Sequence, residues 1–337
     1  MMFTFDLATL WAFIIAFAVF VYVVMDGFDL GLGMLFPLFP EKSDRDVIMN
    51  SVAPVWDGNE TWLVLGGGGM MAAFPLAYAV LMPALYTPMI AMLIGLVFRG
   101  TAFEFRWRTT QEGRNRWDIA FAGGSLLATL AQGIALGAVL QGIHVEGRHY
   151  AGGWWDWLTP FSLLTGFALA VGYALLGATW LVLKTEGALR DKAYSLSWAL
   201  LFAMLGAIGA VSVATPFLHI QYKERWFDWP NILLTAPVPI AVAGVAVLLL
   251  RSLDQRQDQR PFFLVLLLFA LSYAGLGISM YPYIVPQGIS IWQAASPANS
   301  QIFMLFGVAV LVPLILLYTG WAYWVFRGKV KHGSSYH

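Results

Sequence analysis

The chain has 337 residues, no cysteine, a formal net charge of zero and a mean hydropathy of +0.71. Hydrophobic residues make up 59% of it and charged residues 11%, against about 25% charged residues in soluble domains, which indicates a polytopic membrane protein. The zero net charge gives no electrostatic basis for binding nucleic acid. The lack of cysteine excludes disulfides, cysteine-ligated iron–sulfur clusters and thiol catalysis.

Nine apolar runs are long enough to cross a hydrocarbon core of about 30 Å. They lie at residues 8–36, 53–73, 77–106, 116–141, 160–183, 194–217, 231–251, 261–285 and 299–326. The connections between them are short. We therefore predict one all-α membrane domain over residues 1–337, with nine transmembrane helices and no catalytic domain outside the membrane.

The distribution of lysine and arginine predicts the orientation of these spans. With the N-terminus outside, fifteen of the nineteen Lys and Arg residues lie in inside connections, the last of them Lys331. Arg148, Lys223 and Arg225 fall outside, and Arg99 lies within the third span. We expect the N-terminus in the periplasm and the C-terminus in the cytoplasm.

The first span carries two aspartates near its cytoplasmic end, Asp26 and Asp29. Because they are three residues apart, their side chains share one helix face. Gly27 and Gly31 are four residues apart, a spacing that favours close approach of a neighbouring backbone. An ionised aspartate in hydrocarbon costs roughly 2.5–3.5 kcal/mol. We therefore expect these carboxylates to be paired, hydrated or used in function.

Two further spans bring charge to the same third of the membrane. The second span begins near Asp57 and Glu60, and the third carries Arg99 and then Glu104. Short aspartate side chains cannot extend to water as lysine and arginine do. We expect Arg99 to pair with Asp26 or Asp57. With one guanidinium available, these carboxylates cannot all be ionised together, and a water-filled proton access from the cytoplasm follows as a hypothesis.

Simpler interpretations stay open for each of these features. The carboxylates can merely hydrogen-bond helix ends near the membrane interface, and Asp57 can be an N-terminal helix cap after Pro54. The run Gly66–Gly69 lacks the Gly-Lys-Ser/Thr of a phosphate loop and favours tight helix packing.

No histidine lies well inside a predicted span. The five histidines are His144, His149, His219, His332 and His337, and they form no pair suited to axial haem ligation across two helices. We therefore expect no redox centre, metal site or nucleophilic triad on this chain alone. The chemistry is then carried by a partner.

Four segments of the chain resemble subunit II of cytochrome bd-type quinol oxidases. They are Met25–Gly33, Asn50–Trp62, the Phe74–Pro75 pair and Tyr318–Val330. The resemblance covers essentially the whole chain, and residues 55–60 with the short outside loops are most similar to the cyanide-insensitive branch. It implies two four-helix bundles plus one peripheral helix, which agrees with the nine apolar runs.

The resemblance implies a respiratory complex of the bacterial cytoplasmic (inner) membrane that oxidises ubiquinol or menaquinol and reduces oxygen to water. It places two haems b and one haem d on a haem-bearing subunit I, so this chain is expected to bind no haem and to supply a cytoplasmic proton pathway. A small single-helix subunit, a bound quinone and membrane lipid are further candidate partners.

The family's proton route carries over to several positions of this chain. They are Asp26, Asp29, Trp56, Asp57 and Arg99, to which the charge pattern adds Glu60 and Glu104. Asp57 is expected at the mouth of the route, Asp26 and Asp29 along it, and Arg99 sets their protonation.

Two tryptophans, and one position at which this chain differs from some relatives, also bear on the expected site. Trp56 and Trp62 are expected to pack at the interface. Some relatives have a histidine where this chain has Val55, so that proton step is assigned here to water or Glu60. The alternative functions are a proton-coupled secondary transporter, whose fold favours inverted repeats that are not visible here, and a structural scaffold.

Overall fold

The computed structural model describes residues 6–330, so Lys331, His332 and His337 lie outside the described residues. This part of the chain is mostly helical. Its helices are α1 (Leu7–Leu35), α2 (Lys42–Val52), α3 (Trp56–Ala73), α4 (Pro75–Ala84), α5 (Tyr86–Phe105), α6 (Gln111–Leu140), α7 (Pro160–Lys184), α8 (Gly187–Ala214), α9 (Ile220–Phe227), α10 (Ile232–Thr235), α11 (Pro237–Asp254), α12 (Arg260–Met280), α13 (Ile291–Ala294) and α14 (Ala298–Val325). Short 3₁₀ turns follow α1 (Phe36–Leu38) and α8 (Thr215–Phe217). Two antiparallel hairpins pair β1 (Val145–Glu146) with β2 (His149–Tyr150) and β3 (Tyr283–Val285) with β4 (Ile289–Ser290).

Eight of the described helices are long and apolar enough to cross a membrane, namely α1, α5, α6, α7, α8, α11, α12 and α14. The predicted second span corresponds to α3, which has 18 residues and begins at Trp56. Asp57 and Glu60 in its first two turns, and the glycines 66–69 after them, lower its hydropathy. The predicted count of nine spans therefore depends on α3.

The predicted third span, residues 77–106, is wrong as one continuous helix. The structure has two helices there, α4 and α5, which meet at Leu85. Pro83 and Pro88 flank this break, and each lacks the backbone N–H that would bond to the carbonyl four residues earlier. With 10 residues, α4 is too short to cross the hydrocarbon core at 1.5 Å per residue.

Two other predicted spans end or divide differently in the structure. The helix predicted over 261–285 ends at Met280, because Pro282 cannot continue the helical hydrogen bonds, and residues 283–285 form β3. The span predicted over 231–251 is divided into α10 and α11, the latter beginning at Pro237. The short helices α2 and α9, which lie between the predicted spans, were not predicted.

The long helices pack in two groups joined through α7. In one group α7, α8, α11 and α12 contact each other in a closed ring. In the other, α1 packs against α3 and α6, and α5 packs against α6. Contacts of α7 with both α1 and α6 join the groups, and α14 lies on the outside against α1 and α3.

Glycines bring α1 and α7 into backbone contact. A Cβ atom placed on Gly31 would collide with the backbone carbonyl of Tyr173, and one on Gly177 would lie 2.7 Å from the backbone of Gly31. A Cβ on Gly27 would lie 2.7 Å from the ring of Tyr173. The predicted close approach on the face formed by Gly27 and Gly31 is confirmed.

The four consecutive glycines of α3 divide between two faces of that helix. Gly66 and Gly69 pack against side chains of α1, whereas a Cβ on Gly67 or Gly68 would meet nothing within 4 Å. Tight packing, predicted for the whole run, is therefore confirmed within the chain for Gly66 and Gly69, whereas Gly67 and Gly68 face away from the described helices.

Charged connections collect at one end of the helix groups. Arg106 binds Asp46 and Asp118 at 2.6 Å each, and Arg45 binds Asp118 at 2.9 Å. The amine of Lys192, at the start of α8, donates to the carbonyl of Leu38 after α1. These contacts tie the ends of α1 and α5 to the starts of α2, α6 and α8.

The hairpins and the tryptophan-bearing loops collect at the opposite end. Asp6 caps α1 by accepting from the backbone N–H of Thr9 at 2.7 Å, and it also accepts from the indole N–H of Trp292 at 2.6 Å. Arg225 of α9 donates to carbonyls at the end of α12, including that of Ile278 at 2.8 Å. A cation at a helix C-terminus is favoured by the helix dipole.

A C-terminal clasp, defined here as Phe326–Val330 with its partners, fastens α14 to the ring of α7, α8, α11 and α12. Lys184 donates to the carbonyls of Phe326 and Gly328, and the N–H of Val330 donates to the carbonyl of Lys184 at 2.8 Å. Asp258 accepts from Lys329 at 2.6 Å, Tyr194 at 3.0 Å and Arg190 at 3.1 Å.

We expect acid to weaken this clasp at Asp258. Burial alone would raise the pKa of Asp258, but hydrogen bonds from Lys329 and Tyr194 and the charges of Lys329 and Arg190 outweigh burial and lower the pKa from its ordinary value of 3.8. The stabilisation is therefore fully present above about pH 4 and is lost as the pH falls through the lowered pKa. In the purified complex, Asp258→Asn should lower the unfolding temperature at pH 7 and have progressively less effect toward pH 3. Asp191→Asn, at an exposed pair with Arg256, is the control, and an Asp258→Asn effect independent of pH would contradict this explanation.

Candidate functional site

The candidate site is centred on Arg99 of α5, whose side chain is fully buried. Its Nη2 atom donates to Asp26 Oδ1 of α1 and to Glu60 Oε1 of α3, at 2.5 Å each. Its Nη1 atom lies 4.0 Å from Asp29 Oδ2. Two helices, α1 and α3, thus bring three carboxylates to one guanidinium from α5, and we call these four residues the Arg99 cluster.

Local sequence places each member of the Arg99 cluster. Asp26 and Asp29 share one face of α1, as their spacing predicts, and both are fully buried. Arg99 is held close to α6, because a Cβ on Gly95 would lie 2.6 Å from the carbonyl of Gly124 and one on Gly124 would lie 2.9 Å from the backbone nitrogen of Arg99. The glycines therefore let α5 and α6 approach where Arg99 enters the interior.

Asn59 connects the cluster to the outer helix α14. Its Nδ2 atom donates to Asp29 Oδ2 at 2.8 Å and to the carbonyl of Met25 at 3.3 Å, while its Oδ1 atom accepts from the hydroxyl of Tyr323 at 3.0 Å. All polar groups of the Asn59 side chain are therefore engaged. This arrangement fixes the orientation of the Asp29 carboxylate.

The two predicted tryptophans occupy different places. Trp56 stacks on Phe103 with ring centroids 4.9 Å apart, and the Arg99 guanidinium lies 5.9 Å from the Trp56 ring, within reach of a cation–π interaction. Trp62 is fully buried and packs edge-to-face on Phe17 of α1. Trp62 therefore packs in the interior of the chain and not at its surface, so the prediction that it packs at the interface is wrong.

Asp57 and Glu104 lie outside the Arg99 cluster. Asp57 is exposed in the first turn of α3, where a negative charge suits the helix dipole, and the N-cap position is Val55. Arg99 pairs with Asp26, as predicted, and not with Asp57; the N-cap alternative for Asp57 is also wrong. Glu104 is half exposed and accepts from Arg108 at 3.4 Å.

Several polar atoms of the cluster have no protein partner. They are Asp26 Oδ2, Asp29 Oδ1, Arg99 Nε and Arg99 Nη1. Buried polar atoms are normally hydrogen-bonded, and water is the usual partner where protein supplies none. The Glu60 side chain is 28% exposed, so the cluster reaches the surface of the chain there. Chemically, such a set can take up a proton at Glu60 and pass it inward.

Five residues near the carboxylates were missed by the sequence analysis. They are Tyr22, Asn59, Gln132, Tyr173 and Tyr323. Two of them carry a local signal, because Tyr22 lies one helical turn before Asp26 and Asn59 immediately precedes Glu60. The other three reach the site from distant segments, and Tyr323 is 264 positions away from the Asn59 that it binds.

The described histidines do not fit axial ligation of a haem. His144 and His149 are exposed in the first hairpin, and the Nε2 atom of His219 is engaged with the carbonyl of Gln141 at 2.7 Å. Within residues 6–330, no three His, Asp or Glu side chains form a group that could hold a metal ion. No haem chemistry is therefore assigned to these side chains.

Comparison with known proteins gives one consistent result. The sequence profile of the family described as "Cytochrome bd terminal oxidase subunit II" matches residues 7–326. The chain is 31% identical over 358 residues to the "Cytochrome bd-I ubiquinol oxidase subunit 2" of Escherichia coli (strain K12), covering 95% of this chain and 94% of that protein. It is 24% identical over 340 residues to the "Cytochrome bd ubiquinol oxidase subunit 2" of Bacillus subtilis (strain 168), covering 97% and 98%.

A solved structure supports the same fold. A chain of the bd oxidase from Geobacillus thermodenitrificans matches with a TM-score of 0.72 at 19% identity, covering 95% of this chain and 99% of that chain. The transporter alternative is not favoured by these matches. Family membership implies a subunit I as partner, a haem-containing complex and a location in the inner membrane. The chain belongs to the cytochrome bd terminal oxidase subunit II family and is a subunit of a respiratory quinol oxidase, which is an oxidoreductase.

Proposed function

We propose that this chain is the haem-free subunit of its oxidase and supplies cytoplasmic protons for the reduction of oxygen to water. In this proposal the haem-bearing subunit I carries two haems b and one haem d and oxidises ubiquinol or menaquinol. No catalytic residue lies on this chain. The observation that carries the proposal is the Arg99 cluster, in which three carboxylates from two helices share one buried guanidinium.

The membrane arrangement in this proposal has nine spans, formed by α1, α3, α5, α6, α7, α8, α11, α12 and α14. The N-terminus is periplasmic and the C-terminus cytoplasmic. Two features support it: the arginine-rich connections collect at one end of the helices, and the tryptophan-rich loops collect at the other. This is the distribution that the positive-inside rule and the aromatic belt favour.

The proton route begins at the exposed residues Glu104 and Asp57 and enters the interior through Glu60. Asp57 and Glu60 lie one turn apart on α3, and Glu60 contacts Arg99 directly. From there Asp26 and Asp29 receive the proton, with water bridging their unpartnered oxygens. Carboxylates and water can each accept one proton and release another, which makes this sequence of groups competent for transfer.

The partner subunit covers the face of the chain that exposes Glu60. A partly exposed carboxylate within a membrane span is costly against lipid, and the neighbouring surface of α3 exposes Thr61 and Val64. Protein contact there would shield Glu60 and carry the route toward the haems. A small single-helix subunit, a bound quinone and membrane lipid are further candidate components of the complex.

The test compares Asp26→Asn with the unsubstituted protein in the complex purified together with subunit I. Asparagine keeps the shape of the side chain but cannot carry a proton. We expect oxygen consumption with quinol to fall on the order of 100-fold, the lower end of the range for losing a positioned proton-transfer group. Proton uptake, followed with a pH-indicating dye after an oxygen pulse, should slow in parallel.

The matched control is Asp191→Asn, an acid at an exposed pair with Arg256 on the same end of the molecule. It should leave turnover and proton uptake unchanged. Full turnover and full proton uptake in an Asp26→Asn complex of normal yield would refute the proton route and favour the purely structural scaffold. A complex in which this chain itself holds a haem would refute the haem-free assignment.

A further inference from the structure

Asp26 lies beside the first residue of a hydrogen-bonded row, formed by Tyr22, Gln132 and Tyr173, that runs away from Arg99. The row crosses from α1 to α6 and then to α7. The Nε2 atom of Gln132 donates to the hydroxyl oxygen of Tyr22 at 2.8 Å, and the hydroxyl of Tyr173 donates to Gln132 Oε1 at 3.0 Å. Tyr22, one turn before Asp26, lies beside its carboxylate, whose Oδ2 atom has no other protein partner.

The glutamine amide gives this row a fixed direction. An amide nitrogen only donates and an amide oxygen only accepts. Gln132 therefore accepts from Tyr173 and donates to Tyr22. Because the oxygen of Tyr22 receives that bond, its single hydroxyl proton is left to point at Asp26. The opposite direction would turn the lone pairs of Tyr22 toward the carboxylate that pairs with Arg99, which is electrostatically unfavourable.

The same amide ends proton transfer along the row. A hydroxyl, a water molecule or a carboxylate can accept one proton and release another, whereas an amide N–H does not give up its proton near neutral pH. Protons that reach Asp26 and Tyr22 can therefore not continue through Gln132 to Tyr173. Gln132 lies eight residues before the end of α6, which is about 12 Å along the helix axis.

We propose that Gln132 is a positioning residue for proton transfer in this oxidase: through Tyr22 it holds a hydrogen-bond donor against the ionised form of Asp26 and ends the route there. The inference rests on the proton route proposed above. In this inference Gln132 and Tyr22 act on the proton affinity of one carboxylate, that of Asp26.

Other charges around Asp26 must be kept constant in any test. The titratable and charged groups that face it are Tyr22 and Asp29 of α1, Glu60 of α3, Arg99 of α5, Tyr173 of α7 and Tyr323 of α14. Substitutions at Gln132 and Tyr22 that introduce no charge meet this requirement. Tyr22→Phe removes a single oxygen atom and keeps the buried ring in place.

The experiment measures quinol-driven oxygen consumption against pH in the purified complex for Tyr22→Phe, Gln132→Met and the double variant. Without the Tyr22 hydroxyl as donor, Asp26 keeps its proton to a higher pH. The alkaline limb of the activity–pH profile should therefore shift to higher pH by about one unit. KM for quinol should not change, because quinol is bound elsewhere. The double variant should show the shift of one single variant and not their sum, because both act through the Tyr22 hydroxyl.

Two controls separate this inference from general damage. Tyr273→Phe removes another buried hydroxyl, which donates to the carbonyl of Ala16 at 2.9 Å outside the row, and should leave the pH profile unchanged. Tyr173→Phe leaves the bond from Gln132 to Tyr22 in place and should shift the profile less than Gln132→Met does.

The outcomes distinguish this inference from the proton route itself. Unchanged pH profiles in Tyr22→Phe and Gln132→Met, with Asp26→Asn inactive, would overturn the positioning role while the route stands. Full activity of Asp26→Asn would overturn both. Additive shifts in the double variant would show that Gln132 acts other than through Tyr22 and would also overturn the proposal.

Discussion

Replacing Arg99 by methionine is expected to prevent stable assembly of the oxidase. Methionine fills much of the same volume but leaves Asp26, Asp29 and Glu60 around a site with no positive charge. Removing one partner of a buried ion pair costs on the order of 3–5 kcal/mol, and here a single guanidinium serves three carboxylates. The measurement is the yield and unfolding temperature of the complex after extraction in mild detergent.

A variant with fewer acids shows whether the loss comes from the unpaired carboxylates. The triple substitution Arg99→Met, Asp26→Asn, Glu60→Gln removes the guanidinium together with the two acids that bond to it directly and leaves one acid, Asp29, in place of three. It should recover a large part of the yield without restoring turnover. Arg99→Lys keeps the charge but presents an ammonium instead of a planar fork, so an intermediate yield is expected. A normal yield of Arg99→Met alone would show that the carboxylates do not require the guanidinium for folding.

Replacing Gly31 by alanine is expected to be nearly as damaging, although it adds one methyl group. The new Cβ would collide with the backbone carbonyl of Tyr173, which cannot rotate away as a side chain can. Overpacking of this kind costs about 1–3 kcal/mol and sometimes more. We expect a lower unfolding temperature and weaker retention of the complex during purification.

Gly68→Ala is the matched control for Gly31→Ala. It makes the same chemical change in a helix, at a glycine around which nothing lies within 4 Å of the added atom. Because alanine favours a helix over glycine by about 0.8–1 kcal/mol, this variant should be neutral or slightly more stable unless the partner subunit packs there. Equal stability of the two variants would argue against backbone contact at Gly31.

Much of the Arg99 cluster could be predicted from local spacing. Positions three apart put Asp26 and Asp29 on one helix face, and positions four apart put Gly27 and Gly31 on the face that meets α7. Depth in the membrane limited the predicted partner of Arg99 to Asp26 or Asp57, and the structure shows Asp26. These features depend on the geometry of a single helix or on pairing opposite charges, and the residue spacing and the charges are both visible in the sequence.

Other features depend on tertiary packing and had no local signal. The same spacing rule groups Asp57 with Glu60, yet Asp57 is exposed because α3 begins only one residue before it. The contacts of Asn59 with Tyr323 and of Tyr22 with Gln132 join segments 264 and 110 positions apart. The break at Leu85 is different, since Pro83 and Pro88 are visible in the sequence and were outweighed by the apolar character of the run.

The glycine crossing of α1 and α7 also has a mechanical consequence. Most packed helices are separated by side chains that can change rotamer, whereas here the backbone at Gly31 touches the backbone at Tyr173 and Gly177. No flexible side chains separate the backbones of α1 and α7 there, and closely packed interiors transmit displacement. The ring of α7, α8, α11 and α12 supplies no charged group to Arg99, yet it acts as the rigid frame against which Asp26 and Asp29 keep their spacing.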